Sequence, residues 1–159
     1  MENKKIKKLI DPQKGLLKAQ KYCAYQERSQ QEVRDKVYSF GLHRKEVEAI
    51  IAELITTGFL KEERFALAFA SGKFRMKSWG RIKIKLALKQ KNVSENLIRQ
   101  ALKSIDEREY QQVLKKILDE KVQTVKEKNN LKKNYKVAQF AIGRGFEPEL
   151  VWDLLMERN

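Results

Sequence analysis

The chain has 159 residues, of which 42% are hydrophobic, so it can bury a core and a disordered tail is excluded. Its 35 basic and 21 acidic side chains give a net charge of +14, which favours negatively charged partners such as nucleic acid or an acidic protein face. No stretch approaches the ~20 apolar residues of a membrane span or follows the first lysines as a secretory segment. We therefore expect a cytoplasmic protein without membrane contact.

The backbone composition predicts helices and no strands. Only 2 Pro and 7 Gly occur, while Lys, Glu, Gln, Leu and Ala dominate, and these residues favour helix. The first 13 residues form a basic tail that contains Lys4, Lys5, Lys7 and Lys8.

The next segment, residues 14–58, carries apolar residues at helical spacing on both sides of a turn at Gly41. These residues are Leu16, Ala19, Cys23, Val33, Val37, Val47, Ile50, Ile51 and Leu54. Ser29 with Glu32 matches a capping box, and Gly58 marks a helix end. Three helices are predicted here.

The same pattern returns twice, with offsets of about 51 and 53 residues. In residues 59–106 the turn residue is Asn92, and in residues 107–159 it is Gly145; both types tolerate the left-handed conformation. Ser94 and Asp106 are good N-caps, Pro148 suits a first helical turn, and residues 126–134 predict a polar connection. We predict an all-α fold of three tandem three-helix repeats, stacked into a curved, elongated array.

The positive charge is concentrated in the middle repeat. Residues 1–58 hold 12 basic and 8 acidic side chains, residues 59–106 hold 12 and 4, and residues 107–159 hold 11 and 9. The middle repeat contains an acid-free basic run with one tryptophan, which is our candidate binding site for nucleic acid or a protein filament. Its residues are Lys73, Arg75, Lys77, Trp79, Arg81, Lys83, Lys85, Lys89 and Lys91.

Within this run, Arg81, Lys85 and Lys89 share one helix face at about 100° per residue. Ile84, Ala87 and Leu88 form an apolar face on one side of it, and Ile82 with Leu86 form another on the other side. We therefore expect a helix flanked by neighbours that exposes only its charges. Like charges at this spacing repel, and nothing in the strip relieves the repulsion, which favours binding of an anionic partner. Trp79 is either a stacking or interface residue or a buried core tryptophan.

The residues of catalysis are missing. The single histidine, His43, follows the Gly41 turn and is typical of a surface or helix-cap position, and the single cysteine, Cys23, reads as a small buried residue. No cluster has metal-ligand spacing, and no glycine-rich loop suits a nucleotide. We expect no enzyme, no catalytic residue, no metal and no cofactor. No long heptad seam demands a dimer, so we expect a monomer.

Several segments resemble the RecX family of recombinase regulators. Arg28 to Val33 is similar to the opening of the family's second helix, and Gly58 to Ala66 is similar to the segment that ends in Glu-Arg-Phe-Ala. Lys77 to Ile84 and the later Leu88, Lys91, Asn92 and Val93 resemble the basic segment that follows. Lys61, Glu62 and Asn92 depart from the usual residues, and the resemblance covers most of the chain.

This resemblance implies a regulator that lodges in the helical groove of RecA filaments on single- or double-stranded DNA. Such a regulator restrains strand exchange and ATP turnover, and it needs no cofactor. The resemblance suggests phosphate or acidic-groove contacts for a set of cations and a turn-anchoring role for Trp79. The cations are Arg75, Arg81, Lys83, Lys85 and Lys89.

Two alternatives stay open. The first is a helix-turn-helix DNA-binding protein that acts without RecA, although the dense lysines precede the turn and favour phosphate contact over base reading. The second is a helical-repeat adaptor for an acidic protein, without nucleic acid.

Overall fold

The computed structural model of the chain describes residues 10–158, and within this range the regular structure is entirely α-helical. Nine helices are found there: α1 (Pro12–Tyr25), α2 (Gln30–Tyr38), α3 (Arg44–Thr56), α4 (Glu62–Lys77), α5 (Arg81–Gln90), α6 (Glu95–Lys103), α7 (Glu107–Thr124), α8 (Asn130–Gly143) and α9 (Pro148–Glu157). The prediction of an all-α fold is confirmed. Residues 1–9 of the predicted basic tail lie outside the described residues, and α1 begins at Pro12, inside the tail boundary that we predicted.

The helix ends follow the predicted capping chemistry. The side chains of Ser29, Ser94 and Asp106 each accept a backbone N–H near the start of the following helix, and Pro148 occupies the first turn of α9. His43 is the exposed N-cap of α3, as expected for a cap histidine.

The predicted turns are also present. Gly41, Gly58 and Gly145 have positive φ angles of 86°, 81° and 97°, and Asn92 has 60°. These left-handed residues let the chain reverse directly after a helix. The polar connection predicted at residues 126–134 is shorter in the structure, where it spans residues 125–129. Residues 130–134 already belong to α8, so that part of the prediction is wrong.

The chain divides into two compact units. The first contains the described residues up to Ala66 together with Lys91–Val93, and its helices α1, α2 and α3 pack on one another. Their apolar faces form a core in which Val33, Val37, Val47 and Leu54 are fully buried. Cys23 belongs to this core, and burial raises the pKa of its thiol.

The second unit contains Leu67–Gln90 and the described residues from Ser94 onward. In it α5 packs on α6, while α7, α8 and α9 pack on one another. Three aromatic rings lie at its centre: the Tyr110 ring is 5.7 Å from the Phe74 ring and 5.1 Å from the Phe146 ring. Three helices correspond to each predicted repeat, although α1 begins two residues before the first one. The division into repeats at residues 58 and 106 stays a prediction.

Candidate nucleic-acid interface

The basic run that we predicted as a binding site lies on and around α5. Lys73, Arg75 and Lys77 lie near the end of α4, and Trp79 lies in the turn before α5. Arg81, Lys83, Lys85 and Lys89 are residues of α5, and Lys91 follows it. These side chains do not form one uniform basic surface.

Arg81 points into the second unit. Its Nη1 atom is 2.7 Å from Oε2 of Glu147, its Nη2 atom pairs with Glu107, and its guanidinium lies 3.7 Å from the centre of the Tyr110 ring. The side chain is only 22% exposed. Two carboxylates therefore meet the charge of Arg81, and our prediction that nothing relieves repulsion along this strip is wrong.

Tyr110 completes the network around Arg81. Its hydroxyl accepts the backbone N–H of Arg81 at 3.1 Å and donates to Oε1 of Glu147. Burial, followed by the hydrogen bond to Glu147, raises the pKa of Tyr110 above its usual value, so the hydroxyl keeps its proton. The sequence pattern indicated only an apolar position here, since a ring at helical spacing does not reveal the partners of its hydroxyl.

The turn before α5 is tied to the turn between α8 and α9 by main-chain contacts. The N–H of Gly80 donates to the carbonyl of Arg144 at 2.8 Å, and the N–H of Ile82 donates to the carbonyl of Gly145 at 3.0 Å. A Cβ atom on Gly80 would lie 2.3 Å from the carbonyl carbon of Gly145, so only glycine fits. Main-chain hydrogen bonds from the residues before and after Arg81 thus hold the start of α5 against the turn between α8 and α9.

Two lysine ammonium groups lie close to the indole ring of Trp79. Nζ of Lys83 lies 4.5 Å, and Nζ of Lys73 5.0 Å, from the centre of its ring, and the Phe69 ring packs edge-on at 6.4 Å. The indole is partly exposed, so Trp79 is not a fully buried core residue, and its interpretation as a stacking or interface residue stays a prediction. We call Lys73, Trp79 and Lys83 the indole cluster.

A groove between α5 and α6 collects a second set of cations. A cavity of about 140 Å³ is lined by Lys85, Lys89, Glu95, Ile98, Arg99 and Leu102. A neighbouring depression shares Arg99 and Leu102 and is also lined by Arg81, Lys103, Ile105, Asp106 and Glu107. Lys89 lies 3.9 Å from Glu95, whereas no ion pair is formed by Lys85, Arg99 or Lys103 within residues 10–158. We call Lys85, Lys89, Arg99 and Lys103 the basic groove.

Arg99 and Lys103 were missing from our predicted site. They lie one turn apart on α6, and their spacing of four residues is the signal that could have revealed them. Because we looked for an uninterrupted basic run, we stopped at Lys91.

The predicted apolar face of α5 that Ile82 and Leu86 form is exposed. Ile82 and Leu86 are 43% and 57% exposed, so our expectation that neighbours cover this face is wrong. At about 100° per residue they lie between Lys89 on one side and Lys83 on the other. The outer face of α5 therefore carries an apolar pair between two groups of cations.

The remaining predicted residues contribute less. Arg75 is 67% exposed and lies 3.8 Å from Glu109, and the exposed Lys77 side chain forms no ion pair within the described part of the chain. Lys91 belongs to the first compact unit and pairs with Glu32 at 2.7 Å.

A metal site and a membrane span each place their own requirements on residues 10–158. No group of three or more His, Cys, Asp or Glu side chains that could hold a metal ion is found in the described range. Among the same residues no helix has the length and apolar character needed to cross a membrane.

Comparison with known proteins points to a single family. Residues 62–102 match the family model described as RecX, second three-helix domain. The regulatory protein RecX of Thermotoga petrophila is 28% identical over 155 residues, which cover 97% of this chain and 90% of that protein. The regulatory protein RecX of Prosthecochloris aestuarii is 31% identical over 96 residues, 60% of this chain and 64% of that one.

A solved structure shares the fold. The crystal structure of RecX from Lactobacillus salivarius superimposes with a TM-score of 0.84 at 23% identity and covers 92% of this chain and 95% of that one. The fold seen here is therefore that of a known three-dimensional structure.

Proposed function

Because the chain belongs to the RecX family of regulatory proteins, we propose that it binds the RecA recombinase filament on DNA and restrains its ATP turnover and strand exchange. The observation that carries this proposal is the basic groove on α5 and α6, of which Lys85, Lys89 and Arg99 lie in the segment that the family model matches. It is an interaction surface and not a reaction centre.

Electrostatics support a phosphate partner for the basic groove. Lys85, Arg99 and Lys103 have no carboxylate partner within the described residues, so their attraction for an anion is not already satisfied within the protein. If all four cations of the basic groove, Lys89 included, met phosphates, the log–log salt slope would be roughly −3.6, taking about −0.9 per phosphate on duplex DNA.

The exposed apolar pair favours a filament over naked DNA. Phosphate contacts require only the cations, whereas Ile82 and Leu86 gain from burial against another protein. A partner that offers phosphates and an apolar protein surface side by side is a protein filament on DNA. We therefore assign the cations to DNA or acidic filament side chains and the apolar pair to RecA.

The test is ATP turnover by RecA on single-stranded DNA with added protein. A groove variant changes Lys85, Lys89, Arg99 and Lys103 to Gln. A matched control changes Lys14, Lys21, Lys45 and Lys61, exposed cations of the first unit that form no ion pair in the described structure, so both variants lose four charges. Wild type and control should suppress turnover, and the groove variant should need about tenfold more protein, which corresponds to roughly 1.4 kcal/mol.

Each other result has a definite meaning. If the groove variant suppresses turnover as well as wild type, the filament assignment stands and the groove is not the contact. If wild-type protein has no effect on turnover at any ratio, the RecA assignment fails.

DNA binding without RecA is the second candidate, and one observation favours it. The exposed side of α6, which follows the turn, carries Asn96, Arg99 and Gln100, residue types that read base edges. This function predicts that affinity for naked duplex DNA depends on its sequence. Equal binding to unrelated duplexes at one salt concentration would exclude it.

A further inference from the structure

We propose that the indole cluster is a stacking site for one unpaired nucleobase, with Lys73 and Lys83 holding the adjacent phosphates. This deepens the proposed function, on which it rests for the presence of DNA, by specifying single-stranded nucleic acid at this surface.

The first observation is a pair of cations without acids. Both ammonium groups lie within 5.0 Å of the indole centre, yet neither forms an ion pair with any carboxylate in residues 10–158. By contrast, Arg81, Lys89 and Lys91 each have a glutamate partner. Two like charges gathered on one ring repel, and an anion placed between them removes that repulsion.

The second observation is the ring itself. An indole is the strongest cation-binding aromatic side chain, and it is also a platform on which any base can stack. Lysine has a flexible four-carbon stem, so each ammonium can leave the ring for a nearby phosphate while its chain stays in place. One nucleotide, with an aromatic base and an anionic phosphate, matches both groups that the cluster offers.

The third observation is the rigidity of the turn that carries Trp79. The N–H of Trp79 donates to the carbonyl of Lys73 at 3.1 Å, and the N–H of Ser78 donates to the carbonyl of Phe74 at 3.0 Å. Arg144 Nη1 donates to the carbonyl of Lys77 at 2.9 Å. A ring on a fixed main chain loses little conformational freedom when a base binds, and this favours affinity.

A single strand fits this geometry better than a duplex. A base inside a duplex has both faces covered by neighbouring pairs, so it reaches the indole only after unstacking. An acidic protein segment would satisfy the lysines but would leave the indole without a stacked partner. The cluster is therefore expected to prefer single strands over duplex and over polyglutamate.

The experiment uses tryptophan fluorescence in a Trp152→Phe background, where Trp79 is the single indole. The probes are oligothymidylate, an abasic oligomer of the same length and polyglutamate. Oligothymidylate should quench the emission, while the abasic strand and polyglutamate should not. Duplex DNA should quench only weakly at concentrations that saturate the single strand.

Two variants locate the effect. In the Trp152→Phe background, Lys73→Gln with Lys83→Gln should lower the steepness of the salt dependence for oligothymidylate by about 1.4, since each single-strand phosphate contact contributes about 0.7. Lys115→Gln with Lys116→Gln, two exposed lysines of α7, is the charge-matched control and should leave the salt dependence nearly unchanged. Trp79→Leu should weaken oligothymidylate binding about tenfold in an anisotropy titration with a labelled strand, the order of one stacked base.

Equal quenching by the abasic strand or by polyglutamate would overturn the proposal, because the indole would then report charge alone. Binding of oligothymidylate without quenching would also overturn it. Suppression of RecA turnover by a protein that shows no quenching contradicts only the stacking site. Quenching without any effect on RecA contradicts the proposed function and leaves the stacking site standing.

Discussion

The first compact unit keeps its charged side chains at the rim of an apolar core. Among the described residues of this unit, Ser29 is the one buried polar residue, and it caps α2. The ion pairs, such as Arg34 with Glu48 and Arg64 with Glu27, join partly exposed side chains. Such pairs contribute little to stability, so this unit depends on apolar packing.

The second unit places polar groups among its core residues. Tyr110 is fully buried at its centre, and its hydroxyl is shared by Glu147 and the main chain of Arg81. Gly80 and Gly145 bring two main-chain segments into contact beside this network. The second unit therefore relies on a few specific contacts in addition to apolar burial.

This difference between the units distinguishes cations that hold the fold together from cations that are free to contact a partner. Arg81 is held by the Tyr110 network, whereas Lys85 and Arg99 line a groove and form no ion pair among the described residues. In the binding surface that we propose for the second unit, Arg81 would support the structure, and other cations would contact the partner. Variants that disturb the network and variants that remove the groove should have separable effects on stability and on binding.

The largest expected effect comes from Gly145→Ala. A Cβ atom there would lie 2.7 Å from the backbone nitrogen of Lys83, and φ is +97°. We expect a loss of more than about 3 kcal/mol in the free energy of unfolding, because main chain must move. In the first unit Gly58→Ala also has positive φ but meets nothing within 4 Å, so about 1 kcal/mol is expected.

Thermal unfolding followed by circular dichroism measures both changes. Gly72→Ala is the control, because this glycine lies inside α4 with open space around it, and alanine there should stabilise by about 0.5–1 kcal/mol. If Gly145→Ala and Gly58→Ala lowered the free energy of unfolding equally, the close contact between Gly145 and the main chain of Lys83 would not contribute to the loss.

The next effect tests the Tyr110 network. Tyr110→Phe keeps the ring and leaves the N–H of Arg81 and a Glu147 oxygen without their partner, so a loss of about 1–3 kcal/mol is expected. Ser29→Ala removes the buried cap of the first unit and should cost about 1 kcal/mol. Chemical denaturation at neutral pH gives both values.

Tyr135→Phe controls for the chemistry of the substitution, since Tyr135 is 57% exposed and its hydroxyl has no recorded partner among residues 10–158. Its stability should stay unchanged. A Tyr110→Phe variant as stable as wild type would show that water replaces the hydroxyl without loss.

The sequence predicted the apolar core of both units well. Val33, Val37, Ile84 and Leu88 follow helical spacing and are all fully buried, because periodicity reports which face of a helix turns inward. Helix caps were predictable for a similar reason. A cap is a contact between residues three positions apart, as in Ser29 with Glu32.

The partners of the basic run were not predictable in this way. Arg81 meets Glu147 across 66 positions, and Lys91 meets Glu32 across 59. A local sequence pattern does not reveal ion pairs between residues so far apart in the chain. The sequence pattern therefore indicates no acidic partner for any cation of the basic run. Exposure of Ile82 and Leu86 was missed for the related reason that spacing identifies an apolar face but not whether another helix covers it.

The third effect concerns the apolar pair of α5. Ile82→Ser with Leu86→Ser changes exposed residues, so stability should stay within about 0.5 kcal/mol. If these side chains contact RecA, about tenfold more protein should be needed to suppress ATP turnover, while binding to naked DNA stays unchanged. Turnover assays and fluorescence anisotropy on labelled DNA measure the two quantities.

The first unit provides the matched control for this pair. Leu17→Ser with Ile55→Ser also removes two exposed apolar side chains, which are 59% and 45% exposed. It should leave both assays unchanged. Equal weakening by the two double variants would mean that exposed apolar residues act without regard to position.

The smallest effect is a pH dependence that differs in sign between two glutamates. Hydrogen bonds from Gln111 and from Arg81 hold the pKa of Glu107 in the second unit below its usual range. Its stabilising contribution is therefore present above the unfolded pKa of about 4.3 and is lost as pH falls through the lower folded value. Because Glu107 is 60% exposed, Glu107→Gln should cost only about 0.5 kcal/mol or less at neutral pH.

Glu62 in the first unit should behave in the opposite way. Burial raises its pKa, although the N–H of Gln30 donates to its carboxylate at 3.3 Å. Its stabilising contribution is present below the unfolded pKa and is lost as pH rises through the folded value. At neutral pH, the free energy of unfolding of Glu62→Gln should therefore equal or exceed that of the wild type, and this advantage should disappear as the pH falls. The free energy of unfolding of Glu107→Gln should be lower than that of the wild type at neutral pH, and this difference should shrink as the pH falls. Urea denaturation from pH 7 to pH 4 compares the two, and parallel changes in both variants would refute the opposite signs.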